Sequence, residues 1–305
     1  MPTLLVTGHS GFVGRTLLQA EALGEIPSGW QLATLPDGLD IRAPQLEGAV
    51  RAAAPQAVLH LAACTSVADS FRDPDTCFDV NFNGTRNLLR ALRALKFGGR
   101  LLYVSSGDCY GALREDMLPV GERTPLRPRN PYAVSKVAAE ALCFQWSQTE
   151  GVDVVIARPF NHIGPGQDER FAVASFCAQI ARIAEGGSAP VLRTGNLDVT
   201  RDFTDVRDVL NAYFALLQHG VRGEAYNVAS GREVRLRELL ERALAIAGVR
   251  ASIEAESARQ RPTEQPRVVA DVSRIRSEAH WASRIPLDET LKNTISYWRK
   301  RVRNG

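Results

Sequence analysis

The first fourteen residues confine this chain more than any other stretch. Leu4-Leu5-Val6 is an apolar run of strand type, and Gly8-His9-Ser10-Gly11-Phe12-Val13-Gly14 follows it directly and opens an amphipathic helical pattern over Phe12 to Leu23. A strand that turns through three spaced glycines into a helix begins a βαβ unit. The first glycine allows the tight turn, the second lets the backbone approach a pyrophosphate, and the third lets the helix pack closely on the strand. The helix N-terminus then meets phosphate charge with free N–H groups. A turn that needs glycine for steric reasons alone is the competing explanation.

The rest of the first half repeats the theme. Short apolar runs at Thr3 to Thr7, Gln31 to Leu35, Ala57 to Leu61, Arg100 to Ser105 and Val152 to Ala157 alternate with helical patterns at Pro44 to Ala53, Pro74 to Leu95 and Pro131 to Thr149. That alternation predicts an α/β fold, a Rossmann-type doubly wound parallel sheet. After Arg158-Pro159 the texture changes to loops rich in Gly, Pro and Asn, with helices expected near Ala172 to Glu185, Val206 to Gln218, Leu236 to Ala247 and Leu287 to Arg301. A smaller C-terminal α/β substrate lobe is expected, capping the carboxyl ends of the strands. The division reads as a Rossmann domain over about 1–160 plus part of about 195–222, and a lobe from about 161–194 and 223–305.

Composition excludes several classes. The 305 residues carry a formal charge of only +3, and outside Arg299-Lys300-Arg301-Val302-Arg303 the basic residues are scattered, so nucleic acid is not an expected partner. The cysteines, Cys64, Cys77, Cys109, Cys143 and Cys177, are odd in number and never form a CxxC pair, which argues against a disulfide framework or a metal site. No charged leader precedes the first apolar stretch, and no apolar run approaches the ~20 residues that cross a membrane. A soluble, cytoplasmic protein is the expectation.

Further segments fit a bound dinucleotide. Asp40-Ile41 follows the loop after the second strand, where the carboxylate is placed either to accept from an adenine amine or to cap a helix. Leu61, Ala62 and Ala63 end the third strand in small residues that let a cofactor pass over the sheet edge, or simply pack. The tip of the second strand reads Leu35-Pro36-Asp37-Gly38, with Asp37 far along for gripping a ribose, whereas His9 and Arg15 offer positive charge to a 2′-phosphate. The cofactor is therefore expected to be NADPH or NADH, with NADPH favoured.

Tyr132-Ala133-Val134-Ser135-Lys136 places a phenol and an ammonium four residues apart, on one face of a helix, with Ser106 upstream as a third partner. A lysine charge favours the ionised phenol and so lowers its pKa toward a range useful for proton transfer. The spacing alone is usually that of a half-buried ring beside a solvated amine. A nucleoside diphosphate calls for bidentate cations toward phosphate and polar edges toward ribose. With 33 arginines in the chain, a surface charge is the ordinary alternative for any one of them.

Taken together, the glycine turn, His60-Leu61-Ala62-Ala63, Asn81-Phe82-Asn83-Gly84-Thr85, Ser105-Ser106-Gly107-Asp108-Cys109-Tyr110-Gly111, and Tyr132 to Lys136 resemble the extended short-chain dehydrogenase/reductase family over essentially the whole chain. Arg158-Pro159-Phe160-Asn161-His162-Ile163-Gly164-Pro165-Gly166-Gln167 and Arg201-Asp202-Phe203 look like its sugar-nucleotide branch. The resemblance implies an oxidoreductase that reduces the 4-keto group of a GDP-linked 4-keto-6-deoxy sugar, GDP-4-dehydro-6-deoxy-D-mannose. It implies that Ser106 binds the keto oxygen, that Tyr132 gives the proton, and that Lys136 holds the nicotinamide ribose, with Gly8, Gly11, Phe12, Val13, Gly14, Tyr132 and Lys136 around the cofactor. It implies that Arg201 and Arg261 grip the phosphate and ribose of the GDP-sugar, with Glu264 accepting from ribose hydroxyls and Asn161 donating to the phosphate, and it implies a homodimer formed through the Pro74 to Leu95 helix and the Tyr132 helix.

In this family a 4,6-dehydratase carries acid/base residues just after the catalytic Ser or Thr. Here Gly107 can transfer no proton, while Asp108 keeps one carboxylate available or merely forms a turn. A reductase is expected, against the alternatives of a GDP-mannose 4,6-dehydratase, an epimerase, or a cofactor-binding scaffold without turnover. Cys109 is expected to be a buried, inert thiol.

Overall fold

The computed structural model describes residues 1–27, 29–256 and 265–304. The first half runs β1 (Thr3–Thr7), α1 (Phe12–Ala22), β2 (Gln31–Thr34), α2 (Leu46–Ala53), β3 (Ala57–His60), α3 (Val67–Arg72), α4 (Pro74–Phe78), α5 (Gly84–Ala94), β4 (Arg100–Val104), α6 (Pro131–Thr149) and β5 (Asp153–Pro159). The second half runs β6 (Asn161–Ile163), α7 (Ala172–Ala184), β7 (Val191–Thr194), β8 (Thr200–Asp205), α8 (Val206–His219), β9 (Ala225–Val228), β10 (Glu233–Arg235), α9 (Leu236–Ala247), β11 (Ser252–Ala255), α10 (Ser273–Glu278) and α11 (Leu287–Arg303).

Six strands form one parallel sheet in the order β2-β1-β3-β4-β5-β9. The α/β Rossmann-type expectation holds. Strand order reverses between β1 and β3, and the crevice beyond the carboxyl ends at such a point is where open α/β sheets take ligands. The strands are apolar on both faces because both are covered. Leu4, Val6, Leu59 and Leu102 pack with Leu17 of α1 and Val209 and Leu216 of α8, whereas Leu5, Val58 and Leu101 pack with Val50 of α2, Leu88 of α5 and Cys143 of α6. A third core joins Phe176 and Ile180 of α7, Leu239 and Leu240 of α9, and Leu291, Ile295 and Trp298 of α11.

Two elements differ from the sequence expectation. Pro74 to Leu95 is not one helix: α4 and α5 are joined by a π-helical turn, Asp79–Asn83. The wider turn leaves Asn81 facing inward, where its side chain accepts from Cys64 N (2.8 Å) and donates to Cys64 O (3.1 Å) and Ser135 Oγ (2.8 Å). Residues from about 223 were expected in the lobe, yet β9 pairs with β5 and completes the main sheet, with Tyr226 and Val228 buried in its core. Four residues are too short a run to declare which sheet they join.

The basic end of α11 is held to the protein surface: Arg299 and Arg303 both pair with Glu185, at 2.6 and 2.7 Å. Among the described residues no helix is long and apolar enough to cross a membrane.

Candidate active site

A cleft of about 1150 Å³ opens along the carboxyl ends of the strands and is lined by the glycine turn, the end of β3, the Ser106 loop, the start of α6 and the β5–β6 junction. Its floor at one end is the turn after β1. Gly8 has φ +72°, and a Cβ there would lie 2.5 Å from Ala62 N, so the glycine serves both the turn and the passage of the next loop beneath it. A Cβ on Gly14 would fall 2.5 Å from His9 Cα. The third glycine therefore lets the helix fold back on the turn itself, not only on the strand. With side chains excluded on this surface, the backbone forms a cradle open to a pyrophosphate, so the residues present fit a dinucleotide.

The other expected cofactor residues reach the same cleft. Leu61, Ala62 and Ala63 line it. Asp40 lines it too and does not cap α2, which begins only at Leu46. Its carboxylate accepts from Arg42 N (2.8 Å) and Arg42 Nη2 (2.6 Å), and this pairing pulls its pKa down. Ile41 lines the cleft as well, while its side chain packs into the core, where a Cβ on Gly84 would meet its Cδ1. At the tip of β2, Asp37 is fully exposed and 2.9 Å from His9 Nε2, so the acidic and the basic candidate for ribose recognition stand together.

Ser106, Asp108, Tyr132 and Lys136 come together at the middle of the cleft. α6 starts sharply because Asn130 caps it, accepting from Ala133 N at 2.7 Å, and Pro131 occupies its first turn. Tyr132 and Lys136 then share its inner face. The Tyr132 ring is 8% exposed; burial pushes its pKa far up, the Asp108 carboxylate adds to this, and a hydrogen bond with Ser106 draws it partly back. The lowering expected from Lys136 is therefore not seen: burial and the Asp108 carboxylate hold the phenol on its protonated side. Lys136 donates to Val104 O at 2.6 Å, and burial pulls its pKa down to about 8.

The Ser106 hydroxyl accepts from Asp108 N at 3.1 Å and so begins a short 3₁₀ turn. A Cβ on Gly107 would sit 3.1 Å from Cγ and Cδ2 of Phe160, whose ring covers this position. Cys109 is buried, and burial raises its thiol to about 12, as an inert cysteine requires.

On the lobe side, Asn161 stands at the start of β6 and Arg201 on β8, and both line the cleft. Arg201 Nη1 donates to Thr200 O and Gln265 O, each at 2.7 Å. Arg261 and Glu264 lie outside the described residues. Asp202 faces away, fully buried, accepting from Ser230 N and Gly231 N at 2.9 Å each.

Three cleft residues were not singled out from sequence. His162 stacks its ring on Phe12, with centroids 6.0 Å apart. Gln167 and Tyr213 also line the cleft. Gln167 ends a motif quoted for its likeness alone, and Tyr213 sits in a plain amphipathic helix with no local signal.

Comparison with known proteins agrees with this architecture. The profile of the family described as GDP-mannose 4,6 dehydratase matches residues 38–294. The GDP-6-deoxy-D-mannose reductase of Pseudomonas aeruginosa is 47% identical over 98% of this chain and 98% of that protein. The structure of RMD from Pseudomonas aeruginosa complexed with NADPH superposes with a TM-score of 0.93 at 45% identity, covering 99% of this chain and all of the other. A dTDP-glucose 4,6-dehydratase from Streptomyces venezuelae, DesIV with NAD bound, superposes with a TM-score of 0.84 at 25% identity, over 98% and 97% of the two chains.

Proposed function

The chain belongs to the GDP-mannose 4,6-dehydratase family, and from that membership we propose that it is an NAD(P)H-dependent reductase of the 4-keto group of GDP-4-dehydro-6-deoxy-D-mannose, yielding GDP-6-deoxy-D-mannose (GDP-D-rhamnose). The observation that carries the direction of the reaction is Phe160 lying over Gly107, where a dehydratase needs an acid or base, with Tyr132 buried in the same cleft.

When bound, NADPH or NADH supplies a hydride to C4 of the sugar. The chain's own groups handle the oxygen. Ser106 donates a hydrogen bond to the keto oxygen and orients it, and Tyr132 releases its proton to that oxygen as negative charge develops, so hydride and proton together reduce C=O to CH–OH. The Lys136 ammonium would hold the nicotinamide ribose and favour the phenolate left behind. Asp108 holds charge beside this centre. The glycine turn of Gly8, Gly11, Phe12, Val13 and Gly14 receives the pyrophosphate, and Asp40, Ile41 and Leu61 to Ala63 border the adenosine. Arg201 and Asn161 face the diphosphate of the substrate, with Arg261 and Glu264 assigned to its phosphate and ribose.

The nucleotide-binding and sugar-binding tasks fall to the main sheet and the smaller lobe. The protein works as a homodimer through α4, α5 and α6, in the cytoplasm, where its five free thiols stay reduced. Loss of NADPH absorbance on adding GDP-4-dehydro-6-deoxy-D-mannose, with the C4 configuration of the product read by NMR, tests the assignment. No oxidation of either cofactor sinks it, and conversion of GDP-mannose alone into the 4-keto sugar restores the dehydratase reading.

A further inference from the structure

The segment between β6 and α7, residues 164–171, has no part in proton transfer, yet it is bonded to both sides of the main sheet. Arg15, on α1, donates from Nη2 to Gly166 O at 3.2 Å. Four residues on, Arg170 donates from Nη1 to Asp69 Oδ2 at 3.1 Å, and Asp69 belongs to α3. These two helices lie on opposite faces. Leu17 of α1 is buried in the core that α8 covers, whereas α3 packs on α4 and α6, and α6 covers the other face. A segment held to both helices therefore passes over the carboxyl edge of the sheet. It does so at β1 and β3, the strands that feed α1 and α3, where the strand order reverses.

Its residues suit that course. A Cβ on Gly164 would lie 2.7 Å from Val206 Cγ1 and 3.7 Å from Phe12 Cζ, so the segment starts pressed against α8 and α1. Gly166 turns it with φ +88°, a conformation that favours glycine. The Asp168 carboxylate accepts from Arg170 N at 2.9 Å and from Arg170 Nε at 3.1 Å, which aims the guanidinium toward α3. On the receiving side, Ser66 caps α3 by accepting from Asp69 N at 3.1 Å, and Arg72 pairs with the Asp69 carboxylate from the same helix. The far end belongs to the lobe, where Glu169 pairs with Arg182 of α7 at 2.6 Å.

Open space lies beneath the segment. Gln167, Asp168, Arg170 and Phe171 line the same cleft as Gly8, Gly11 and Gly14. A dinucleotide whose pyrophosphate rests on the glycine turn is thus enclosed between the turn and the segment, and it leaves only if the segment lifts. What resists lifting on the α3 side is weak. The Arg170 side chain is 65% exposed and that of Asp69 33%, and so exposed an ion pair shifts an open–closed equilibrium by only about two- to fivefold.

We propose that residues 164–171 form a strap over the bound dinucleotide, latched by the Arg170–Asp69 pair, and that the cofactor enters and leaves when the latch opens. This rests on the reading that the cleft takes NADPH or NADH. A latch and a ligand contact have different kinetics. Weakening a latch that holds the strap with and without cofactor raises entry and release by the same factor and leaves affinity unchanged, whereas losing a contact to the ligand raises release alone.

Stopped-flow fluorescence of the full chain separates the two, with association followed on mixing with NADPH and release followed on displacing bound NADPH with excess NADP⁺. Asp69→Asn and Arg170→Gln each raise both rate constants about two- to fivefold and leave their ratio, the Kd, unchanged. The double variant is no faster than either single one, because a single pair is lost in all three. Unchanged rates in both single variants, a rise in release alone, or effects that multiply in the double variant overturn the proposal. Failure of the native chain to bind NADPH overturns instead the cofactor reading beneath it.

Discussion

Tyr132 keeps its proton because burial penalises the phenolate and Asp108 repels it, while Ser106 only partly compensates. A phenol in that state suits the reducing direction, in which the group must start protonated. Tyr132→Phe removes the proton and nothing of the ring's packing, so ketosugar reduction falls about 10²–10⁴-fold while NADPH affinity, read by fluorescence titration, is unchanged. Retention of native turnover refutes the role. Lys136 sets the pH response. Its ammonium, pulled down by burial from 10.5 to about 8, is a cation below that pH and neutral above it. The rate constant kcat/KM therefore declines as pH rises through about 8, and Lys136→Arg, whose guanidinium stays charged, removes that limb from the initial-rate profile. The stability sign is opposite: the unfolded lysine still binds its proton between about 8 and 10.5, so thermal stability gains from this group as pH rises through that window. The i,i+4 spacing announced Tyr132 and Lys136 because it is local in the chain. Their protonation could not be read there, since it depends on what Val104, Asp108 and Ser106 do around them.

At the scale of elements, α6 carries both proton-handling residues and is tied to the sheet by a buried ion pair. Arg158 at the end of β5 donates to Glu140, Nε to Oε2 at 3.1 Å with a second bond between Nη2 and Oε1, and also to the Tyr110 hydroxyl at 3.0 Å. Tyr110 closes the 3₁₀ turn that Ser106 begins, so the serine loop, the catalytic helix and β5 share one anchor. Removing one partner strands a buried charge: Arg158→Met lowers the unfolding free energy by about 3–5 kcal/mol in urea titration, and adding Glu140→Leu recovers most of that loss. Equal losses in the single and double variants count against the pair as the anchor. Most elements were legible from alternating apolar runs and caps such as Asn130. The π-helical turn was not, because a residue inserted into a helical ladder leaves the apolar period nearly intact and shows only when Asn81 is seen bonding to Cys64 and Ser135.

Across the whole molecule, the outer faces of α4 and α6 present Phe78 (38% exposed) and Val134 (44% exposed) close together, beside a shallow groove that also includes Pro74 and Pro131. Apolar side chains exposed side by side on two packed helices suit a twofold contact, in which the same patch meets its own copy. Light scattering is expected to give twice the chain mass of 33.3 kDa, and Phe78→Glu with Val134→Glu returns it to one chain. A native monomer rules this interface out. The α/β class, the strand–glycine turn–helix opening, the helix that carries Tyr132 and Lys136, and the family's motifs were all legible before folding, because each is written in residues that neighbour one another along the chain. The closing of the chain is what brings Ala225–Val228 into the main sheet, lays Phe160 over Gly107 and buries Tyr132 near Asp108 and Ser106. These depend on desolvation and on contacts between residues far apart in sequence, and both come into being only when the chain closes on itself.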